Sequence, residues 1–135
     1  MYLLDTNILS HLLRKQPERC LVERLTQEAP ETLFTSCICV MELRHGAARL
    51  NDRGNLWRRI EREILSQIEV LPIGLNEALL AGDLLAHLYA SGKPIDIEDI
   101  LIGATALRKD LTVVTNNVRH FRRIPKLLVE DWSGS

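Results

Sequence analysis

Met1-Tyr2-Leu3-Leu4-Asp5-Thr6-Asn7-Ile8-Leu9 is a short apolar run that ends in an acid, two small polar residues and a second apolar run. Tyr2, Leu3 and Leu4 suit a strand buried on both faces. Asp5 then stands at the carboxyl end of that strand, and Thr6 or Asn7 can cap the helix that follows. In open α/β sheets, ligands bind in the crevice beyond the carboxyl ends of the strands. A carboxylate at the edge of an apolar core is costly unless a cation or hydrogen bonds hold it. Taken alone, the stretch supports Asp5 equally well as a ligand and as the helix cap itself. The recurrence of similar acids further along the chain favours the ligand.

Outward from this stretch, strand-like and helix-like segments alternate. Ile8 to Arg14 carries Ile8, Leu9, Leu12 and Leu13 on one helical face, and Cys20, Leu21 and Leu25 supply the next apolar stripe. Leu33 to Val40 reads as a buried strand running into a helix from Met41, so Glu42 lies just past a strand, as Asp5 does. Leu50 to Ser66 reads as a charged helix. Val70-Leu71-Pro72-Ile73 reads as an edge strand, because Pro72 has no N–H for a ladder. Asn76 can cap a helix over 77–90, which Ser91-Gly92-Lys93-Pro94 stops. Asp96 and Asp99 open the next helix as N-cap and N3 acid, positions the helix dipole favours without any further role. Its Gly103, Ala104 and Ala106 permit close packing. Leu111 to Thr115 and Leu127 to Val129 read as the last two strands, and Trp132 anchors the end.

This alternation predicts a three-layer α/β/α domain over 1–132 with a parallel sheet of four to five strands, and a disordered tail over 133–135. Parallel strands bring Asp5, Glu42, Asp99 and Asn117 to one edge of the sheet. Carboxylates without a His or Cys companion select a hard cation, Mg²⁺ with Mn²⁺ as a substitute. The three cysteines, Cys20, Cys37 and Cys39, form neither a disulfide pattern nor a zinc-ligand spacing, and Cys37 and Cys39 are expected on one face of a strand as small hydrophobes.

Composition sets further bounds. The 135 residues are 46% apolar and 26% charged, as in ordinary soluble domains, and the start lacks the basic and apolar regions of a signal peptide, which makes the cytoplasm the expected location. No apolar run approaches the roughly 18–20 residues of a membrane span. The net charge of −1 conceals a basic stretch that includes Arg119, Arg122, Arg123 and Lys126. Such a strip gains meaning only beside a site for an anionic substrate. A second basic cluster, Arg58, Arg59 and Arg62, is diluted by Glu61 and Glu63.

The blocks LLDTN (Leu3 to Asn7), VMELRHGA (Val40 to Ala47), GKPIDIEDILIGATAL (Gly92 to Leu107) and LTVVTNNVRHFRRIPKL (Leu111 to Leu127) resemble, in this order, the VapC-type toxins among the PIN-domain ribonucleases. The resemblance implies that Asp5, Glu42 and Asp99 form an acidic metal-binding triad. It puts the acid of the third block at Asp99 and leaves Asp96 as N-cap. Many members carry a fourth acid where this chain has Asn117, a neutral ligand at best. Thr6, Asn7 and Thr115 would support the site.

The resemblance also implies Mg²⁺-dependent internal cleavage of RNA, with 5′-phosphate and 3′-hydroxyl ends and arrest of translation. It implies a homodimer and a small antitoxin that blocks the site and alone links the protein to DNA. No membrane partner is expected. On the residues themselves, a cation supplies Lewis acidity for phosphodiester hydrolysis. The basic strip is well placed to bind phosphates, and two Phe, two Trp and two Tyr are too few for a base-stacking platform. A folded or looped RNA read through phosphates and shape is therefore expected. A dehalogenase-type phosphatase would need an acid where Asn7 stands, and a receiver domain would need acids adjacent to Asp5. In a scaffold protein the same acids would serve only as helix caps.

Overall fold

The structure, a computed structural model, describes residues 1–133. Five parallel strands form one sheet: β1 (Tyr2–Leu4), β2 (Leu33–Ser36), β3 (Glu69–Leu71), β4 (Thr112–Val114) and β5 (Val129–Glu130), in the order β3-β2-β1-β4-β5. Seven α-helices connect them: α1 (Thr6–Leu12), α2 (Arg19–Gln27), α3 (Cys37–Ala48), α4 (Asn55–Ile60), α5 (Leu75–Ala90), α6 (Ile97–Arg108) and α7 (Val118–Phe121). The chain steps from β1 outward to β3, then crosses back to β4 on the other side of β1. Right-handed crossovers therefore place the helices before β3 and those after it on opposite faces. The expected layered α/β sheet is present, with the upper end of the expected strand number.

The central strand is the most deeply buried. Leu3 pairs in register with Phe34 on one side and Val113 on the other, and Leu3, Leu4, Val113 and Val114 are fully buried. On α6, Ile100, Ile102, Ala104 and Ala106 are buried too. A Cβ on Gly103 would come within 2.5 Å of Ile124 Cδ1, so with any larger residue the buried Ile124 side chain would have to shift. Gly92, at φ +70°, ends α5, and Lys93 N–H bonds back to Leu88 O, as the turn sequence there predicts. Among the described residues, no helix is long and apolar enough to cross a membrane.

Several boundaries differ from expectation, each for a local reason. The second strand stops at Ser36, whose Oγ accepts from Ile38 N–H and starts α3 four residues earlier than the β-rich composition suggests. Cys37 and Cys39 therefore lie on a helix, where two-residue spacing turns them apart: Cys39 is buried and Cys37 only partly so. Asp5, not Thr6 or Asn7, caps α1. The helix α5 starts at Leu75, one residue before the expected cap Asn76, and Glu77 Oε1 accepts the Gly74 N–H. The stretch expected as one helix from Leu50 begins at Asn55 and passes at Glu61 into a five-residue π-helical turn, Glu61–Leu65. Of the expected disordered tail, Ser133 is held by its N–H to Asp131 Oδ1 at 2.9 Å, and Gly134 and Ser135 lie outside the described residues.

Candidate active site

The strand order reverses between β1 and β4, and a cleft of about 470 Å³ opens at their carboxyl ends. This is where an open α/β sheet offers a ligand site. Asp5, Thr6, Asn7, Glu42, Asp96, Asp99, Asn116 and Asn117 line it, along with Ser10 and Arg14.

Asp5 is the innermost acid, with 4% of its surface exposed. Its backbone N–H continues the sheet by bonding Val114 O at 3.0 Å, and its carbonyl accepts from Ile8 and Leu9 as α1 begins. Three donors fix its carboxylate: Thr6 N–H to Oδ1 at 2.8 Å, and Thr115 Oγ1–H at 2.8 Å and Asn7 Nδ2–H at 3.1 Å to Oδ2. Asn7 in turn accepts Asn116 N–H on Oδ1, and Thr115 Oγ1 accepts Asn117 N–H. The acid thus serves as helix cap and still presents itself to the cleft. Burial lifts its pKa, and these hydrogen bonds pull part of the way back.

Glu42 reaches the cleft differently from the strand-end placement read in the sequence. It sits in the second turn of α3. Side chains on a helix tilt toward its N-terminus. The carboxylate therefore points back over the sheet edge, where Thr6 Oγ1–H donates to Oε1 at 2.7 Å. Its pKa is raised by burial first, then by the charges of Asp5 and Glu98. Asp99, the third residue of α6, is pushed up to about 7 by burial, then by Asp5, Asp96, Glu42 and Glu98. The dipole of α6 favours its anion, but crowding by four acids outweighs that. Asn117 Nδ2–H donates to Asp99 Oδ2 at 3.3 Å. An ionised carboxylate only accepts, so the amide turns its nitrogen toward Asp99 and acts on that acid as a donor.

Asp96 occupies the N-cap position of α6, but its side chain makes no capping hydrogen bond. It lines the cleft instead and adds to the charge on Asp99. A third group lies beneath Asp5 and Glu42: ligand atoms of Asp5, Cys39 and Glu42 all fall within 4.8 Å of one another. Burial pushes the Cys39 thiol up to about 11, so it is a neutral filler of the cleft floor. Asp99 is outside that tight trio yet faces the same cleft. The charge of Asp5 is the largest electrostatic influence on it.

The basic strip is not part of the cleft lining. Arg119 and Arg122 are exposed on and after α7, and Arg123 Nη1–H bonds Pro94 O at 2.8 Å. Lys126 stands beside Asp110 and Leu111, at the opposite edge of the sheet from Asp5. The cation that does line the cleft is Arg14, which the sequence reading passed over along with Ser10. Ser10, Arg14 and Glu42 also border an adjoining apolar groove of about 320 Å³, walled by Leu13, Leu43, Ala47, Leu56 and Ile60.

The family model described as PIN domain matches residues 2–127. The chain belongs to the PIN-domain family, in its VapC branch. This PIN domain is 34% identical over 132 residues to the tRNA(fMet)-specific endonuclease VapC of Salmonella typhimurium, covering 97% of both chains. The VapBC2 structure from Rickettsia felis, bound to a promoter DNA fragment, superposes on it with a TM-score of 0.89 at 29% identity over 98% of both chains. The FitAcB structure from Neisseria gonorrhoeae gives 0.88 at 34% identity over 96% of both.

Proposed function

We propose that this PIN domain, as a single unit over 1–132, is a divalent-cation-dependent endoribonuclease and the toxin of a type II toxin–antitoxin pair. One observation carries the reading most directly. Asp5, Glu42 and Asp99 line one cleft at the switch point of the sheet, each with a raised pKa and, among the described residues, none paired with a Lys or Arg. Relatives named ribonuclease VapC support the RNA substrate, and neighbours solved as VapBC complexes support the antitoxin partner.

The residues fit a hard cation. The accessible donors are carboxylate oxygens, Cys39 is neutral, and the mutual repulsion that lifts Asp99 is what a divalent ion relieves. Asp5, Glu42 and Asp99 would hold Mg²⁺ or Mn²⁺, with Asn117 and Thr6 orienting two of the three. When bound, the cation supplies Lewis acidity for hydrolysis and offsets the charge of the phosphodiester. The chain's own part is orientation. Thr115, Asn7 and Thr6 N–H hold Asp5 in one rotamer, Thr6 Oγ1 holds Glu42, and Asn117 holds Asp99. Without the cation, the acids repel the RNA backbone, so metal also gates substrate entry.

Products with 5′-phosphate and 3′-hydroxyl ends, translation arrest, homodimerisation and action in the cytoplasm belong to the same proposal. So does an antitoxin that reaches the acids across the apolar groove and brings the complex to DNA. A phosphomonoesterase is disfavoured, since Asn7 stands where a second acid is needed and its amide is committed to Asp5, Thr115 and Asn116. The test is incubation of total RNA with purified protein, with Mg²⁺ and with chelator, for wild type and Asp5→Asn. Cleavage confined to wild type with Mg²⁺ is expected. Equal cleavage by Asp5→Asn would overturn the reading.

A further inference from the structure

We propose that Arg14 grips the RNA phosphate next to the scissile one, on the side where the strand leaves the acids toward the apolar groove. This rests on the ribonuclease reading above and assigns a substrate contact within the cleft, whose lining does not include the basic strip. Among the residues lining the cleft, Arg14 is the only Lys or Arg, facing Asp5, Glu42, Asp96 and Asp99. Among the described residues it takes part in no ion pair and no side-chain hydrogen bond, and its charge does not lower the pKa of any of the acids with a shifted value. Its guanidinium is exposed and uncommitted.

The backbone that carries Arg14 is held on both sides. Arg59 Nη1–H donates to Leu13 O at 2.7 Å, tying the end of α1 to α4. Glu18 N–H donates to His11 Nε2 at 2.9 Å, closing the turn into α2. Leu13 N–H and Arg14 N–H bond back to Ser10 and His11 carbonyls. The side chain is free and its anchor is fixed, the arrangement of a positioned binding group.

The electrostatics require such a group. A divalent ion held by Asp5, Glu42 and Asp99 would offset the charge of the phosphate being cut, while a neighbouring phosphate would still meet Asp96 in the cleft wall. A planar guanidinium takes a phosphate through two parallel N–H bonds and keeps its charge at every working pH. Arg14 borders both the acid cleft and the groove, so a phosphate it holds lies on the groove side of the acids, toward Leu13 and Leu56.

The test uses the full chain and a synthetic RNA hairpin that carries a cleavage site mapped on cellular RNA. A series of hairpins replaces single linkages around the scissile bond with neutral methylphosphonate. Arg14→Ala should raise KM about tenfold, the loss of one charge-assisted contact. It should leave kcat within about twofold, the pattern of lost uniform binding. Arg14→Lys should recover part of the KM. One flanking methylphosphonate should cost wild type a similar factor and cost Arg14→Ala nothing. Binding of the same hairpins by Asp5→Asn and by Asp5→Asn/Arg14→Ala should repeat this non-additivity without turnover. Unchanged KM in Arg14→Ala, or every methylphosphonate acting equally with and without Arg14, overturns the assignment. A wild type that leaves the hairpin uncut in Mg²⁺ overturns the ribonuclease reading itself, which separates the two failures.

Discussion

At the amino end of β1, Arg24 lies 4.8 Å from the ring of Trp132 and 5.9 Å from that of Tyr2. Its guanidinium donates to the Tyr2 hydroxyl and sits 3.2 Å from Glu28 and 3.6 Å from Glu130. Trp132 Nε1–H closes the cluster on Glu130 Oε1. At the carboxyl end of the same strand, three residues on, Asp5 gathers Glu42 and Asp99 around it with no cation paired to any of them. One end of the strand answers a charge with opposite charges and aromatic faces, and it fastens the last strand to the first. The other end concentrates like charges and supports them only with neutral donors. The first arrangement ties the last strand to the first, and the second sets like charges against one another, a cost that a divalent ion would relieve.

Four changes bear on that contrast, beginning with the largest effect. Asp99→Asn should reduce RNA cleavage to background while the Tm of the metal-free protein holds or rises, because repulsion falls. A lower Tm would mean that the acids stabilise one another, and the contrast would vanish. Next, Trp132→Ala removes a buried indole from the balanced end and should cost about 3 kcal/mol in urea unfolding. Activity per folded molecule should be retained. Loss of activity without loss of stability would show that the two ends are not separate in purpose.

The third concerns pH. Asp99 has its folded pKa raised from 3.8 to about 7, so the folded state binds more protons than the unfolded state between those values. The associated stability is fully present below about 4 and is lost as pH rises through 7. The upward shifts of Asp5 and Glu42 act with the same sign. Metal-free Tm should therefore decline from mildly acid to mildly alkaline pH, Mg²⁺ should restore it on the alkaline side, and Asp99→Asn should flatten the profile. A metal-free Tm that climbs over the same range would contradict the sign. The smallest effect is Asn117→Asp. It replaces a donor to Asp99 with another anion and should tighten Mg²⁺ in calorimetric titration at alkaline pH, since ligand charge raises affinity for hard cations. It should also weaken metal-free RNA binding. Equal Mg²⁺ affinity would confine Asn117 to orienting Asp99.

Much of the site was legible because the chemistry recurs at element ends. Asp5 follows an apolar strand and Asp99 follows a turn and opens an apolar helix; the recurrence of such acids favoured Asp5 as a ligand, and the resemblance of the third block ranked Asp99 above Asp96. Glu42 was read on the right helix, but at its first turn and too close to the end of the strand. The run from Leu33 to Val40 has strand composition throughout, and only the capping hydrogen bond of Ser36, a contact made in three dimensions, decides that the helix starts at Cys37. Arg14 carried no local signal, since a lone Arg at a helix end usually meets solvent. Its meaning comes from the packing of α1 against α3, with Arg59 of α4 bonded to Leu13 O, which brings it to a cleft shared with acids up to 85 positions away, at Asp99. The basic strip lies outside the cleft lining. Adjacency in sequence to Asn117 does not carry past the bend after α7, where Lys126 turns to the far edge of the sheet.

The hydrogen bond from Thr115 to Asp5 joins residues 110 positions apart. Central β1 gains its second neighbour only when β4 is in place, and the same late segment supplies Thr115 and Asn117 to the acids. A growing chain on the ribosome therefore carries Asp5 and Glu42 long before it can fix them in a working geometry. For a protein proposed to cut RNA, synthesis beside RNA is the moment of greatest hazard to the cell that makes it. If the proposed activity holds, order of synthesis would act as a safety catch, since β4, Thr115 and Asn117 come after nearly all of the chain that carries the acids.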